Sequence, residues 1–225
     1  EGVCVDLMAK FAEFVEQKKG IKLNVVYKAD KPNDFTYFLS DVKKSSGGVF
    51  GLSNTTITEE RKKEYNFSDP YITNVGMILT DKSVPTMTDI KTIATTFKGM
   101  TAITVKNSTN EKSLLDIKAK YFPDMQVEYV SSFGNVVTEI LKNPKKFSNL
   151  DFTYYLEALK NKQPIKRHPG GDTLTEKFGI IMPLSNDWTP LLNEFMASFT
   201  SDVEYRKVLS DNLGSNALKF LDNIK

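Results

Sequence analysis

Short apolar runs of strand length alternate with amphipathic runs of helix length over most of this sequence, and that alternation restricts the chain to an α/β architecture. Strands are expected at residues 22–27, 47–53, 76–80, 101–105, 125–130 and 178–182, with helices at 35–44, 110–121, 133–142, 152–160 and 188–199. A further helix opens the chain, carrying Leu7, Phe11, Phe14 and Val15 on one stripe. Strand and helix taking turns predicts mainly parallel sheets. Two polar breaks, after Leu79 and before Phe178, bracket a segment with its own strand and helix series. The 225 residues therefore read as two lobes rather than one domain. Lobe 1 is expected from 1–80 and 176–225, and lobe 2, inserted into it, from 81–175. Two crossings would form the hinge, with a ligand cleft between the lobes at the carboxyl ends of their strands.

Composition removes several function classes. Thirty Lys and Arg against 28 Asp and Glu leave a net charge of +2, too small to argue for nucleic acid or an anionic membrane surface. A single cysteine, Cys4, excludes a disulfide within the chain and reads as a small thiol with no role. A single histidine, His168, excludes a Cys and His metal site and a His-based triad, so no cofactor is expected. His168 itself, in KRHPGGD, reads as a residue of an exposed loop. No run approaches the ~18 apolar residues that span a bilayer. No basic or apolar leader precedes the first helix, so the start reads as internal or trimmed and the compartment is not written in these residues.

The most informative stretch is NTTITEERKKEYNFSDPY, residues 54–71. It follows an expected strand, which puts Asn54, Thr55 and Thr56 at a strand end, and TEER then reads as the first turn of a short helix. Hydroxyl groups and backbone N–H groups at a strand end, with Arg61 one turn beyond, form a receptor for a carboxylate, because the planar guanidinium matches two oxygens. The alternative is that Arg61, Lys62 and Lys63 make a solvated basic face and FSDPY a simple turn.

This stretch resembles the signature of the family 3 extracellular solute-binding proteins, in which a strand end, T-x-T-x-x-R and F-S-x-P-Y occur in this order. These polar amino-acid receptors of ABC importers have a type 2 periplasmic-binding-protein fold, shared with ionotropic glutamate-receptor ligand-binding domains. Other segments resemble the family too: GVCVDLM its first helix, TAITVKNSTNEKSL a second-lobe strand and helix start, LDFTYYLEAL a strand-to-helix turn bearing an aspartate, and FGIIMPLSNDWTPLLNEFMAS the return to the first lobe. Asn107 and Asn110 stand where the family commonly has glycine. The family's first strand and the loop after it have no counterpart in this sequence.

The resemblance implies a role for each matched residue. Arg61 grips an α-carboxylate, Thr56 shares that task, and Asn54 offers its carbonyl to the ammonium. Asp151 pairs with the ammonium from the second lobe; on residue type alone it equally reads as the N-cap of the following helix. Thr109 and the backbone N–H of Asn110 meet the carboxylate from a helix start. Lys106 lies near enough to reach the ligand or a cross-lobe partner. Phe35 either packs on the ligand's aliphatic part or belongs to the core, and Tyr154 and Tyr155 either close the cleft or pack on their own lobe. The implied function is capture of a free amino acid, polar and of the glutamine or glutamate kind, by hinge closure, and delivery to an ABC permease. A monomer, a signal peptide and a periplasmic or cell-surface location follow from the same resemblance, and no bond is made or broken. The alternatives are a sensing domain of a transmembrane receptor or kinase, and a dehydratase or murein-active enzyme on the same scaffold. An enzyme would require a positioned acid or base, which these residues do not supply.

Overall fold

A computed structural model describes residues 2–173 and 175–224. In chain order the elements are α1 (Val3–Lys19), α2 (Phe35–Lys44), a 3-10 turn (Arg61–Lys63), β1 (Asn66–Phe67), β2 (Ile72–Asp81), α3 (Ile93–Thr96), β3 (Thr101–Val105) and α4 (Thr109–Tyr121). They continue as β4 (Gln126–Val130), α5 (Phe133–Lys142), β5 (Lys146–Asp151), α6 (Phe152–Lys160), β6 (Ile165–His168), β7 (Thr175–Phe178), β8 (Ile181–Met182), α7 (Thr189–Phe199), α8 (Val203–Leu213) and α9 (Ser215–Asn223).

By contact these elements fall into two compact units. One comprises residues up to Pro32, Tyr37–Thr73 and Lys177 onward; the other comprises Asn33–Thr36 and Asn74–Glu176. Apart from the short Asn33–Thr36 stretch, the main chain leaves the first unit at 73/74, where the sequence suggested 80/81. The reason is β2: its residues from Gly76 to Asp81 are laddered to β5 and β6, so hydrogen bonding ties them to the second unit.

In the first unit, α1 ends where Gly20 takes φ 66°, a left-handed conformation that an L side chain resists, and its N–H returns to the carbonyl of Glu16. Leu7, Phe11 and Val15 bury one face of α1. Phe11 meets Phe195 of α7 at 5.6 Å between centroids, and Asn212 of α8 donates to Asp6 at 2.7 Å. A second cluster gathers Val42, Tyr65 and Ile181, with Phe38, Leu39 and Phe67 against it. The ladder beside that cluster is short: β1 pairs antiparallel with β8, and Gly51 and Thr56 add single bridges to Ile181 and Phe178.

Two expected strands do not form. Residues 22–27 are largely apolar but make no strand pairing among the described residues, and Val26 is 77% exposed. Residues 47–53 contribute one bridge, at Gly51. An apolar run supplies a face, while a strand also requires a neighbour to satisfy its backbone.

The second unit is built on a sheet of order β4-β3-β5-β2-β6, with β7 also paired to β2. The sheet is mixed rather than mainly parallel. β3 runs parallel to β4 and β5, as helix crossovers require, but β2 is antiparallel to both β5 and β6. Ile78, Phe97, Ala102, Leu114, Phe122, Met125 and Phe147 form the core. Ser108 and Ser132 start α4 and α5, each hydroxyl accepting a backbone N–H three residues on, from Glu111 at 3.0 Å and from Asn135 at 3.2 Å.

His168 corrects the sequence reading. It is fully buried and ends strand β6, where it pairs with Ile78. Its Nδ1 accepts the backbone N–H of Met87 at 3.0 Å, so the proton sits on Nε2, which donates to the Thr80 hydroxyl at 2.7 Å. The polar HPGG stretch looks like a loop in sequence, but these two bonds let the imidazole sit inside. Burial, and secondarily the charge of Lys166, push its pKa down to about 4. Because this lies below the unfolded value of ~6.5, the unfolded chain takes up the proton first. The contribution of neutral His168 is whole above pH ~6.5 and is lost on acidification toward pH 4. Denaturant titrations at pH 7 and pH 4.5 are expected to show a drop of which on the order of 2 kcal/mol disappears in His168→Gln. Equal pH dependence in the variant would contradict this assignment.

Candidate functional site

Each unit carries a sequence-predicted charged group held in a fixed attitude. In the first unit the chain leaves the bridge at Thr56 and turns at Thr58, whose hydroxyl accepts the N–H of Arg61 at 3.1 Å. This is the hydroxyl half of a capping box, enough to begin the 3-10 turn. The turn brings the Arg61 guanidinium back over the strand end, where Nη1 donates to the carbonyl of Thr56 at 3.0 Å. Arg61 is half-buried while Lys62 and Lys63 are exposed, so the basic run divides into one ordered cation and two solvated ones. Thr56 is buried, and the bond to Arg61 engages its carbonyl. Asn54 is half-buried, and its Oδ1 accepts the Tyr71 hydroxyl at 3.3 Å. Tyr71 also faces Cys4, whose thiol is pushed up to about 11, chiefly by burial.

In the second unit the group is Asp151, the last residue of β5 and only 3% exposed. It occupies the N-cap position of α6 yet makes no side-chain capping bond there. Its Oδ1 instead accepts two amide donors, Asn74 Nδ2 at 3.0 Å and Asn110 Nδ2 at 3.2 Å. Asn110 was expected to act through its backbone; it is its side chain that reaches Asp151, and the same NH2 group bonds Asn149 Oδ1 at 3.2 Å. The antiparallel register sets Gly76 opposite Asp151 and Ile78 opposite Asn149, so these side chains share one face of the sheet. Gly76 makes room for them: a Cβ would come within 2.8 Å of Asn149 Oδ1 and 2.6 Å of Thr173 Oγ1 and force those side chains to shift.

The loop before α4 has the conformation that glycine would favour. Asn107 takes φ 63°, which asparagine tolerates, and Ser108 then caps the helix. Thr109 is the first residue of α4 and half-buried. Lys106 is exposed, its Nζ 5.9 Å from the ring centroid of Tyr129. Phe35 groups with the second unit, meeting Phe133 at 5.9 Å, and Phe133 meets Tyr154 at 5.7 Å. Tyr154 therefore packs within its own unit. Burial, with the nearby carboxylates of Asp151 and Glu157, holds its phenol above the usual range.

Thus Arg61, Thr56 and Asn54 gather in one unit, and Asp151 with Asn110 in the other. The sequence reading passed over Asn74, Asn149 and Glu176. Asn74 offered a signal, since a fully buried amide inside the apolar run ITNVGMILT demands partners. Among the described residues no group of three or more His, Cys, Asp or Glu could hold a metal ion, and no helix is long and apolar enough to cross a membrane.

Comparison with known proteins adds four findings. A glutamine-binding protein of Geobacillus stearothermophilus is 32% identical over 91 residues, which span 40% of this chain and 31% of that protein, about a third of its length. An ancestral arginine-binding protein bound to arginine superposes with a TM-score of 0.72 at 21% identity, covering 95% of this chain and 88% of that one. The GluR0 ligand-binding core from Nostoc punctiforme in complex with L-glutamate superposes with a TM-score of 0.70 at 17% identity, covering 95% and 92%. At these identities the structures establish a shared fold, that of type 2 periplasmic binding proteins. The bacterial extracellular solute-binding proteins, family 3, match residues 1–215, nearly the whole sequence. This chain belongs to that family.

Proposed function

We propose that this protein captures a free amino acid outside the cytoplasm and delivers it to an ABC permease. Arg61 takes the α-carboxylate, with Thr56 and the start of α4 at Thr109 and Asn110 contributing further donors. Asp151 takes the ammonium. The observation that carries this reading is the attitude of Asp151, which stands at an N-cap position without capping and is turned by two amides toward another use. Similarity to proteins whose names give glutamine, arginine and glutamate as ligands supports an amino acid as the solute. A ligand gripped at both ends favours a closed state in proportion to its differential affinity, which is the thermodynamic content of hinge closure. Closure is what a permease would recognise. Likeness to the GluR0 core favours a second reading, in which the same binding event signals instead of feeding transport.

A thermal-shift screen of the twenty L-amino acids, a few small peptides and polyamines tests the proposal, because a ligand that binds only the native state raises the midpoint. At least one amino acid is expected to raise it, with contraction in small-angle scattering at saturation. A response to polyamines alone would overturn the role given to Arg61.

A further inference from the structure

The buried polar cluster around Asp151 contains a residue whose bonds divide the labour of the site. Asn74 is fully buried on β2. Its Nδ2 donates to Asp151 Oδ1 at 3.0 Å and to Glu176 Oε2 of β7 at 3.3 Å, while its Oδ1 accepts the backbone N–H of Phe152 at 3.3 Å. Chemistry fixes this orientation: flipping the amide would aim its oxygen at two carboxylates and its NH2 at an N–H.

Phe152 is the first residue of α6, and its N–H is one of the donors a helix leaves unmet at its start. An N-cap side chain such as that of Asp151 serves the N–H groups of the second and third helical residues, so the N–H of Phe152 has to be met from elsewhere. Asn74 supplies an acceptor to that helix end from a neighbouring strand and at the same time draws the Asp151 carboxylate aside. A lysine or arginine at this position would also hold Asp151, but would compete with a ligand cation; a neutral amide orients the carboxylate and adds no net charge. The cluster is not built for stability alone, since Asn149 Nδ2 is buried without an acceptor among the described residues.

We infer that Asn74 is the positioning residue of the ammonium subsite, holding the Asp151 carboxylate away from the capping position and fixing it for the ligand. This rests on the reading of Asp151 given above. Without Asn74, the carboxylate is expected to fall back on the N-terminus of α6, where aspartate is a favoured cap.

The test is calorimetric titration of the twenty L-amino acids, singly, into wild type, Asn74→Leu, Asp151→Asn and the double variant. Leucine keeps the branched shape of asparagine without its polar atoms, and Asn74→Ser replaces it should the larger leucine not be accommodated. Asn74→Leu is expected to weaken the amino acid that wild type binds by at least tenfold, and the double variant to be no weaker than Asp151→Asn. Wild-type affinity in Asn74→Leu alongside a loss in Asp151→Asn overturns the inference and leaves the function standing. Additive losses in the double variant overturn it too, because Asn74 would then act independently of Asp151. Unchanged affinity in Asp151→Asn, or no binding of any amino acid by wild type, removes both.

Discussion

Arg61→Ala is expected to lower amino-acid affinity at least tenfold, with the thermal midpoint of the ligand-free protein nearly unchanged. The asymmetry follows from the bonds that Arg61 makes in its own unit. Its Nη1 donates to the backbone carbonyl of Thr56, and an intramolecular bond of this kind contributes about 1 kcal/mol net. Truncating one partner of a hydrogen-bonded charge pair in a binding site costs about 2–5 kcal/mol, and every 1.4 kcal/mol is a factor of ten in affinity. Arg61→Lys should recover little, because an ammonium offers a point charge where a carboxylate is matched by two parallel N–H donors. Calorimetry decides the matter. Equal affinities for wild type and Arg61→Ala would remove the carboxylate from this position.

Phe97→Ala should carry the largest penalty in stability. Phe97 is fully exposed to neighbours and not at all to solvent: its ring lies 4.9 Å from that of Phe147 and 5.0 Å from that of His168. Removing such a side chain from a packed interior costs about 3–5 kcal/mol, combining lost transfer energy with the cavity left behind. A second signature separates this site from other core positions. The void would open beside the imidazole, easing its protonation, so the acid sensitivity assigned to His168 should shrink together with the stability. Urea titrations at pH 7 and pH 4.5 read both quantities. A loss below about 1 kcal/mol would mean the core closes over the gap.

How much was legible in the sequence depended on whether a local signal was enough. The strands at 101–105 and 126–130 and the five interior helices could be read from periodicity, since that signal lies within each segment. The turn carrying Arg61 could be read as well, because Thr58 and the residues after it act within one turn of chain. Residues 22–27 could not, since periodicity cannot say whether a neighbouring strand exists. His168 misled for the opposite reason: its loop-like surroundings conceal acceptor and donor partners at Thr80 and Met87, which come from distant positions. Asp151 reads equally as cap or ligand contact in sequence, and the amides that its Oδ1 accepts, Asn74 and Asn110, lie 77 and 41 residues away, beyond the reach of any local signal. Asn107 adopted the left-handed turn of a glycine because its short amide side chain tolerates that region.

The order in which the chain is made gives the two units different fates during synthesis. Apart from Asn33–Thr36, the second unit is one continuous stretch and can close as soon as Glu176 has emerged. The first unit cannot. The face of α1 that holds Phe11 is covered by Phe195 and Trp188, at 5.6 and 6.2 Å, which are made more than 170 residues later. Until then Leu7, Phe11 and Val15 have only part of their apolar cover, such as Phe50 at 6.0 Å from Phe11, and the rest is a surface of the kind that invites aggregation or a chaperone. The discontinuous unit is thus the vulnerable one in biogenesis, and its opening helix is the segment a nascent chain would most need to keep shielded.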